Sequence, residues 1–195
     1  MVDGSGACWF GAPGFEVLAV VDDGAELVVE VETTRRAVGC SECGTRARPK
    51  DRRWVTVRDA PAGSRPVRVR WRKRVWSCPE PDCDRRTWTE QHGLAAPRRV
   101  LTARAESWAA DRVAAVEGTP ASIARGFGVS WSTVWTAVCR VGRQRVEDPG
   151  RVGPVEMVGF DETVMQPANR RRRRRFVTAV VDVESGQILD VFEGR

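Results

Sequence analysis

Two close pairs of cysteines constrain the fold of this chain more than any other feature. Cys40 and Cys43 have C-x2-C spacing, Cys78 and Cys83 have C-x4-C spacing, and 34 residues lie between the pairs. Four thiolates make a closed tetrahedral zinc site, and each short loop can wrap one pair of ligands. Because the start of the chain does not resemble a signal peptide, metal is favoured over disulfides. The sequence therefore predicts structural zinc, with free core cysteines as the alternative.

The stretch between these pairs is the most basic part of the chain. Residues 35–78 contain 14 lysines and arginines against three acids, whereas residues 1–34 contain seven acids and no lysine or arginine. The net charge of +6 suits phosphate binding, although an RNA-binding or ribosomal protein would have a similar composition. The segment PVRVRWRKRVW alternates as a β-strand does, so one face is almost entirely cationic. Its candidate DNA contacts are Arg68, Arg70, Arg72 and Arg74.

The acidic segment FEVLAVVDDGAELVVEVE, residues 15–32, predicts a β-hairpin. Two β-branched apolar runs flank a turn at Asp22, Asp23 and Gly24. Because its acids would repel phosphate, we interpret the hairpin as structural. It either packs on the residues that follow or meets a basic partner surface.

Helical spacing replaces strand spacing after residue 101. Thr102 is the predicted N-cap of a first helix, which should end near Gly118 and Pro120. In the next segment, SIARGFGVSWSTVWTAV, a small residue, a turn glycine and an apolar residue have helix-turn-helix spacing. These three residues are Ala124, Gly128 and Val134.

The second helix of this motif should run from about Trp131 to Val141 and act as a recognition helix. We interpret Trp131 and Trp135 as packing residues. The alternative is an ordinary helical hairpin that makes no DNA contact. The candidate DNA contacts, beginning with the predicted N-cap, are Ser130, Ser132, Thr133, Thr136 and Arg140.

The last forty residues predict three strands in meander order, VEMVGFDE, FVTAVVDV and QILDVFEG. The first ends in Asp161, and an arginine run, Arg170–Arg175, precedes the second. Such a run is either a disordered basic arm or the connection between two strands. Three consecutive strands with an aspartate at the end of the first are how an RNase H-like domain begins.

The order of these segments resembles bacterial insertion-sequence transposases of the DDE type, specifically the ISL-three group. The resemblance covers most of the chain from about residue 15 onward. It rests on GCSECG, RPVRVRWRKRVWSCPEPDCDRRTWTEQ, SIARGFGVSWSTVWTAV, and VGFDETV with RRFVTAVVDVESGQILDVFEGR.

The resemblance implies cleavage and transfer of DNA ends by Mg²⁺ ions held on two aspartates and a glutamate. Asp161 matches the first aspartate, and Glu162 is a weaker candidate because alternation points it to the opposite face. The family's second aspartate and its glutamate lie beyond the segments present here. We therefore expect a truncated or frameshifted transposase, or a fragment of one, that is inactive alone.

Together these features predict a multi-module α+β protein with an incomplete RNase H-like domain. The expected partner is double-stranded DNA at transposon ends, with homo-oligomers possible. We expect a cytoplasmic, nucleoid-associated protein, because no apolar run approaches the ~20 residues that span a bilayer. A stand-alone zinc-ribbon and helix-turn-helix regulator is the alternative. The predicted modules are a hairpin segment (1–34), a zinc ribbon (35–92), a helix-turn-helix domain (97–148) and the start of a catalytic domain (152–195).

Overall fold

The computed structural model describes residues 10–167 and 174–194. Within these ranges the chain forms two β-sheets and three α-helices, divided between two compact units, Met1–Arg143 and Gln144–Arg195. No described helix combines the length and apolar composition needed to cross a membrane. The strands are β1 (Phe15–Asp22), β2 (Leu27–Thr33), β3 (Arg48–Ala62), β4 (Arg65–Ser77), β5 (Thr87–Thr89), β6 (Val158–Gln166), β7 (Arg175–Asp182) and β8 (Ile188–Glu193). The helices are α1 (Ala103–Ala114), α2 (Pro120–Phe127) and α3 (Trp131–Val146).

The first sheet is built around β4. The strand order is β1-β2-β4-β3, and the short β5 pairs with the last residues of β4. Strands β1 and β2 form the expected antiparallel hairpin, and β2 runs parallel to β4 from the Leu27–Val67 pair to the Val31–Trp71 pair. The acidic hairpin and the basic strands between the cysteine pairs therefore belong to one sheet.

One face of this sheet forms the core of the first unit. Val67, Val69 and Trp71 of β4 are buried, as the alternation of the strand predicts. They pack with Val29, Val31 and Val57 of the neighbouring strands and with Phe10 and Ala95. Burying each valine or phenylalanine side chain of this core stabilises the fold by about 1.5–3 kcal/mol relative to leaving it exposed.

The opposite face of the sheet consists of ion pairs between strands. The carboxylates come from the hairpin side and the guanidinium groups from β3 and β4, so the hairpin neutralises much of the basic strand beside it. Of the two roles considered for the hairpin, packing on the residues that follow is the one observed. The pairs join Glu26 to Arg58 and Arg68, Glu30 to Arg70, and Glu32 to Arg52, Arg72 and Arg74.

A buried carboxylate, Asp59 of β3, connects the sheet to α1. Its Oδ1 accepts a 2.6 Å hydrogen bond from the hydroxyl of Thr102, and both of its oxygens accept from the Arg104 guanidinium. Thr102 is the N-cap of α1, as predicted, and accepts a 3.0 Å bond from the Ala105 amide. The chain before α1 also bonds to the edge of β3, because the Arg58 amide donates to the Val100 carbonyl (2.7 Å) and the Thr102 amide donates to the Arg58 carbonyl (2.9 Å).

The three helices share a second hydrophobic core. Helix α2 begins at a capping box formed by Thr119 and Ser122, and it ends at Gly128, which has a φ of 62°. Glycine adopts this left-handed conformation without the steric cost of a Cβ atom, so the chain can turn at once into α3. Helix α3 continues to Val146, five residues beyond its predicted end. The shared core consists of Leu101, Ala105, Ala109, Ile123, Ala124, Phe127, Val134 and Ala137.

The second unit contains the antiparallel sheet β6-β7-β8 in the predicted meander order. Asp161 of β6 lies opposite Ala179 of β7, which in turn lies opposite Val191 of β8. Large apolar side chains remain exposed on this sheet, including Phe160 at 71%. Arg170–Arg173 lie outside the described residues, whereas Arg175 begins β7 and pairs with Glu193 of β8.

Replacing Asp59 with alanine should destabilise the first unit by about 3 kcal/mol, because the Arg104 guanidinium and the buried Thr102 hydroxyl would lose their acceptor. The measurement is the free energy of unfolding from a urea titration followed by tryptophan fluorescence. Asp51→Ala on the same strand is the control, since Asp51 is exposed and its carboxylate bonds only the adjacent Arg52 amide among the described contacts. Equal stability of the two variants would contradict the proposed role of Asp59.

Candidate metal centre and nucleic-acid interface

The first cysteine pair lies in a tight loop between β2 and β3. The Cys40 amide donates to the Thr45 carbonyl, and the Gly44 amide donates back to the Cys40 carbonyl, both at 2.9 Å. Gly44 has a φ of 74°, a left-handed conformation that lets the chain reverse directly after Cys43. The loop therefore holds the two side chains on the same side of the turn.

The second pair lies in the loop between β4 and β5. Cys78 directly follows β4, and its amide donates to the Arg86 carbonyl at 3.0 Å. The Cys83 amide donates to the Glu80 carbonyl at 3.3 Å. Because β5 pairs with the end of β4, the loop is closed at its base and returns Cys83 toward the first pair.

The four sulfur atoms form one cluster with the dimensions of a zinc site. All four lie within 4.8 Å of one another, with 3.7 Å between Cys40 Sγ and Cys83 Sγ and 3.5 Å between Cys43 Sγ and Cys78 Sγ. Tetrahedral zinc with sulfur at ~2.3 Å separates its ligands by about 3.8 Å, whereas a disulfide joins sulfurs at about 2.05 Å. The donor set therefore fits structural zinc. Across residues 10–167 and 174–194, no other group of at least three histidine, cysteine or acidic side chains has metal-binding geometry.

The thiols of the cluster differ in acidity. Hydrogen bonds from the side chain and backbone of Thr45 lower the pKa of Cys43 to about 6. Burial raises the pKa of Cys83 to about 12 and also raises that of Cys78. A metal ion must therefore displace protons from some of these thiols when it binds, and its positive charge offsets the cost of four thiolates close together.

The start of α3 presents hydroxyl groups to solvent. The Ser130 hydroxyl caps the helix as predicted, accepting a 3.2 Å bond from the Thr133 amide. Ser132 and Thr136 are exposed, and Thr133 is half-buried. These four predicted contact residues lie together at one end of the helix, where short polar side chains can approach a ligand.

Arg140, the fifth predicted contact on α3, already forms an ion pair within the protein. Its guanidinium pairs with Glu106 of α1, and its side chain is about a quarter exposed. The pair joins the outer edges of two helices that also share the helical core. A ligand would have to compete with Glu106 for this arginine.

The two tryptophans of α3 do not pack in the core, contrary to the sequence interpretation. Trp131 and Trp135 are 52% and 43% exposed, and their rings stack on each other with centroids 5.7 Å apart. Each is followed in the sequence of the helix by an exposed hydroxyl residue, Ser132 or Thr136. A helical projection centred on the buried residues Val134 and Ala137 places Trp135 toward solvent and Trp131 at the edge of the buried face.

The arginines of β4 that were predicted to contact DNA do not form the free cationic face that the sequence suggests, because acidic side chains pair with them. Arg68, Arg70 and Arg72 are part of the ion-paired face described above, and their side chains are 39–45% exposed. Arg74 is buried, and its guanidinium donates to the Thr33 carbonyl and hydroxyl, to the Arg35 carbonyl and to Glu32. Arg74 is thus a structural residue of the sheet, because its donors already point at buried acceptors.

Asp161 is exposed on β6, and strand alternation places its neighbour Glu162 on the opposite face. The register puts Asp161 on the same face as Ala179 and Val191, whereas Asp182 and Asp190 share the face of Glu162. Among the described residues, Asp161 belongs to no cluster of three or more potential metal ligands. The present donor set around Asp161 therefore does not fit a two-metal centre.

Comparison with known families identifies the cysteine-bearing segment. Residues 36–83 match the family model described as the zinc-finger of transposase IS204/IS1001/IS1096/IS1165. The matched segment contains all four cysteines, so the chain carries a zinc-ribbon domain of this transposase type with a site for structural zinc. Neither the curated proteins nor the solved structures provide a significant match.

Replacing Cys40 or Cys83 with serine should abolish stable zinc binding, because three thiolates cannot close the tetrahedral site. The purified chain should contain about one zinc ion, measured by atomic emission, and each of these variants much less than one. Cys139→Ser is the matched control, since Cys139 is exposed on α3 and outside the cluster. Full zinc content in Cys83→Ser would contradict the four-sulfur site.

Proposed function

We propose that this chain is the DNA-binding part of an insertion-sequence transposase and recognises the terminal inverted repeats of its element. The observation that carries the proposal is the transposase-type zinc ribbon at residues 36–83. Its sheet lies in the same compact unit as α1, α2 and most of α3. A protein with this role acts where the DNA is, which in a bacterium is the cytoplasmic nucleoid.

The pair of helices α2 and α3 supports a helix-turn-helix role in this proposal. The left-handed residue Gly128 joins the helices, and Ala124 and Val134 are both buried in their shared core. Helix α3 presents Ser132 and Thr136 outward, and hydroxyl groups of this size can bond to base edges in a major groove. We therefore assign α3 as the recognition helix, with Ser130 and Thr133 contributing at its start.

Zinc has a structural role in this proposal. It joins the loop before β3 to the loop after β4. Further along β3, Asp59 accepts hydrogen bonds from Thr102 and Arg104 at the start of α1. We assign residues 35–92 to the zinc ribbon and 97–148 to the helix-turn-helix domain, with the hairpin of β1 and β2 completing the sheet of the ribbon. Arg68, Arg70 and Arg72 remain candidates for phosphate contact, because they are partly exposed beside their acidic partners. Arg74 leaves this set because it is buried.

We further propose that residues 152–195 form the start of an RNase H-like domain with Asp161 as its first acid. In such a domain, divalent metal activates a nucleophile and stabilises the leaving oxygen at a phosphate. We derive no such step for this chain, because the described carboxylates do not gather around Asp161. This observation also favours a second candidate, a regulator that occupies the same DNA ends without cutting them.

Recognition by α3 should depend on the Thr136 hydroxyl. Thr136→Val preserves the shape of the side chain and removes its hydrogen bond, which should lower the preference for the terminal repeat over a scrambled duplex by about 1 kcal/mol, roughly fivefold. Fluorescence anisotropy with both duplexes at constant salt measures this ratio. Thr34→Val, an exposed threonine outside α3, is the control. An unchanged ratio in Thr136→Val would exclude this hydroxyl from readout.

The 195-residue chain should bind DNA without cutting it. In Mg²⁺, the rate of strand cleavage of a labelled terminal repeat should be the same with the protein as in buffer alone, because Asp161 alone cannot hold two metal ions. The control is Asp161→Asn, which should bind the repeat as tightly as the unchanged chain. Mg²⁺-dependent cleavage that disappears in Asp161→Asn would contradict the proposed inactivity.

A further inference from the structure

Many arginines of the first unit have an acidic partner, and Arg98 and Arg99 are among those that do not. Eleven arginines in this unit, from Arg52 to Arg140, form ion pairs with side chains of Asp or Glu, and even the exposed Arg112 pairs with Glu117. Arg98 and Arg99 lie in the loop before α1, are exposed, and form no ion pair with any described residue. Their positive charge is therefore available to a ligand.

These two arginines lie beside the recognition helix proposed above. They line a groove of about 250 Å³ together with Ser132, Thr133 and Thr136 of α3. Glu106 is the acid in the lining of this groove, and the Arg140 guanidinium pairs with it. The groove thus combines two unpaired guanidinium groups with three hydroxyl groups, which is the donor set that binds phosphate oxygens.

The backbone holds this loop in place before any ligand binds. The Arg99 amide donates to the Ala96 carbonyl at 3.1 Å, and the loop then bonds to the edge of β3 through Val100 and Thr102. Leu101, between these last two residues, is buried in the helical core. A loop fixed on both the sheet and the helices loses little conformational freedom on binding, which favours affinity.

We infer that Arg98 and Arg99 form a phosphate clamp that grips the backbone of the same DNA duplex that α3 reads. This inference rests on the proposed function, since it places the phosphates next to the base-contacting hydroxyl groups. Guanidinium groups suit this role because their planar donors bond to two phosphate oxygens at once. The clamp sets the position of α3 in the major groove of the DNA. The preference for particular bases then comes from the side chains of α3.

The test measures the salt dependence of binding to a fluorescent random-sequence duplex about three helical turns long. With the full zinc-loaded chain, Arg98→Gln and Arg99→Gln should each reduce the slope of log K against log [salt] by about 0.9, and the double variant by about twice that. Arg99→Lys should keep most of the slope, because it keeps the charge. Arg112→Gln removes the same charge from an exposed site outside the groove and should leave the slope unchanged.

The possible outcomes separate the clamp from the proposed function. If the unchanged chain binds duplex DNA and the double variant keeps its slope, the clamp is refuted and the DNA-binding proposal stands. If the unchanged chain binds neither the random duplex nor the terminal repeat, the proposed function itself fails. Zinc content and urea unfolding of each variant show whether a loss reflects misfolding, and a misfolded glutamine variant is replaced by Arg98→Ser or Arg99→Ser for the same measurement.

A final comparison identifies the source of the phosphate. Inorganic phosphate and chloride at equal ionic strength should inhibit duplex binding equally, because the clamp recognises a continuous backbone of phosphodiesters. Stronger inhibition by inorganic phosphate that disappears in the double variant would assign the groove to a free phosphate group and overturn the duplex assignment.

Discussion

The convergence of four cysteine sulfurs at one end of the first sheet is the constraint on which the rest of this structure depends. The cluster joins the loop that leads into β3 to the loop that follows β4. Because β3 and β4 pair along most of their length, fixing their ends also fixes the register that places Asp59 under Thr102 and Arg104. The position of α1, and through the helical core that of α3, therefore depends on the sheet that zinc closes.

In the first unit, the number of lysines and arginines in a strand does not show how much of its positive charge is unpaired. The most basic strand, β4, is neutralised by Glu26, Glu30 and Glu32 from the hairpin beside it. An acidic hairpin therefore has a purpose in a protein proposed to bind DNA, since it keeps like charges of the sheet from repelling one another. Arginines without an acidic partner, such as Arg98 and Arg99, become the more informative ones, and they lie next to α3.

Features that depend on short-range spacing were predictable from the sequence. The cysteine pairs, the hairpin turn, the N-caps Thr102 and Ser130, and the turn at Gly128 each involve residues close together in the chain. Local hydrogen bonds and backbone conformation decide such features, so residue type and spacing carry most of the information. The interpretation of Trp131 and Trp135 was wrong because it assumed that large aromatic rings are buried, whereas both rings are exposed and lie at the edge of the buried helix face or beyond it.

The sequence by itself determined the metal ligands, the alternation of β4 and the order of the elements, because each follows from the chemistry or periodicity of nearby residues. Only the tertiary structure decided which charges remain available. Arg74 and Arg140 look like DNA contacts in the sequence but pair with Glu32 and Glu106, whereas Arg98 and Arg99 lie in a loop without any motif. The physical reason is that an ion pair depends on the approach of two side chains far apart in sequence, and that approach is set by strand pairing and helix packing.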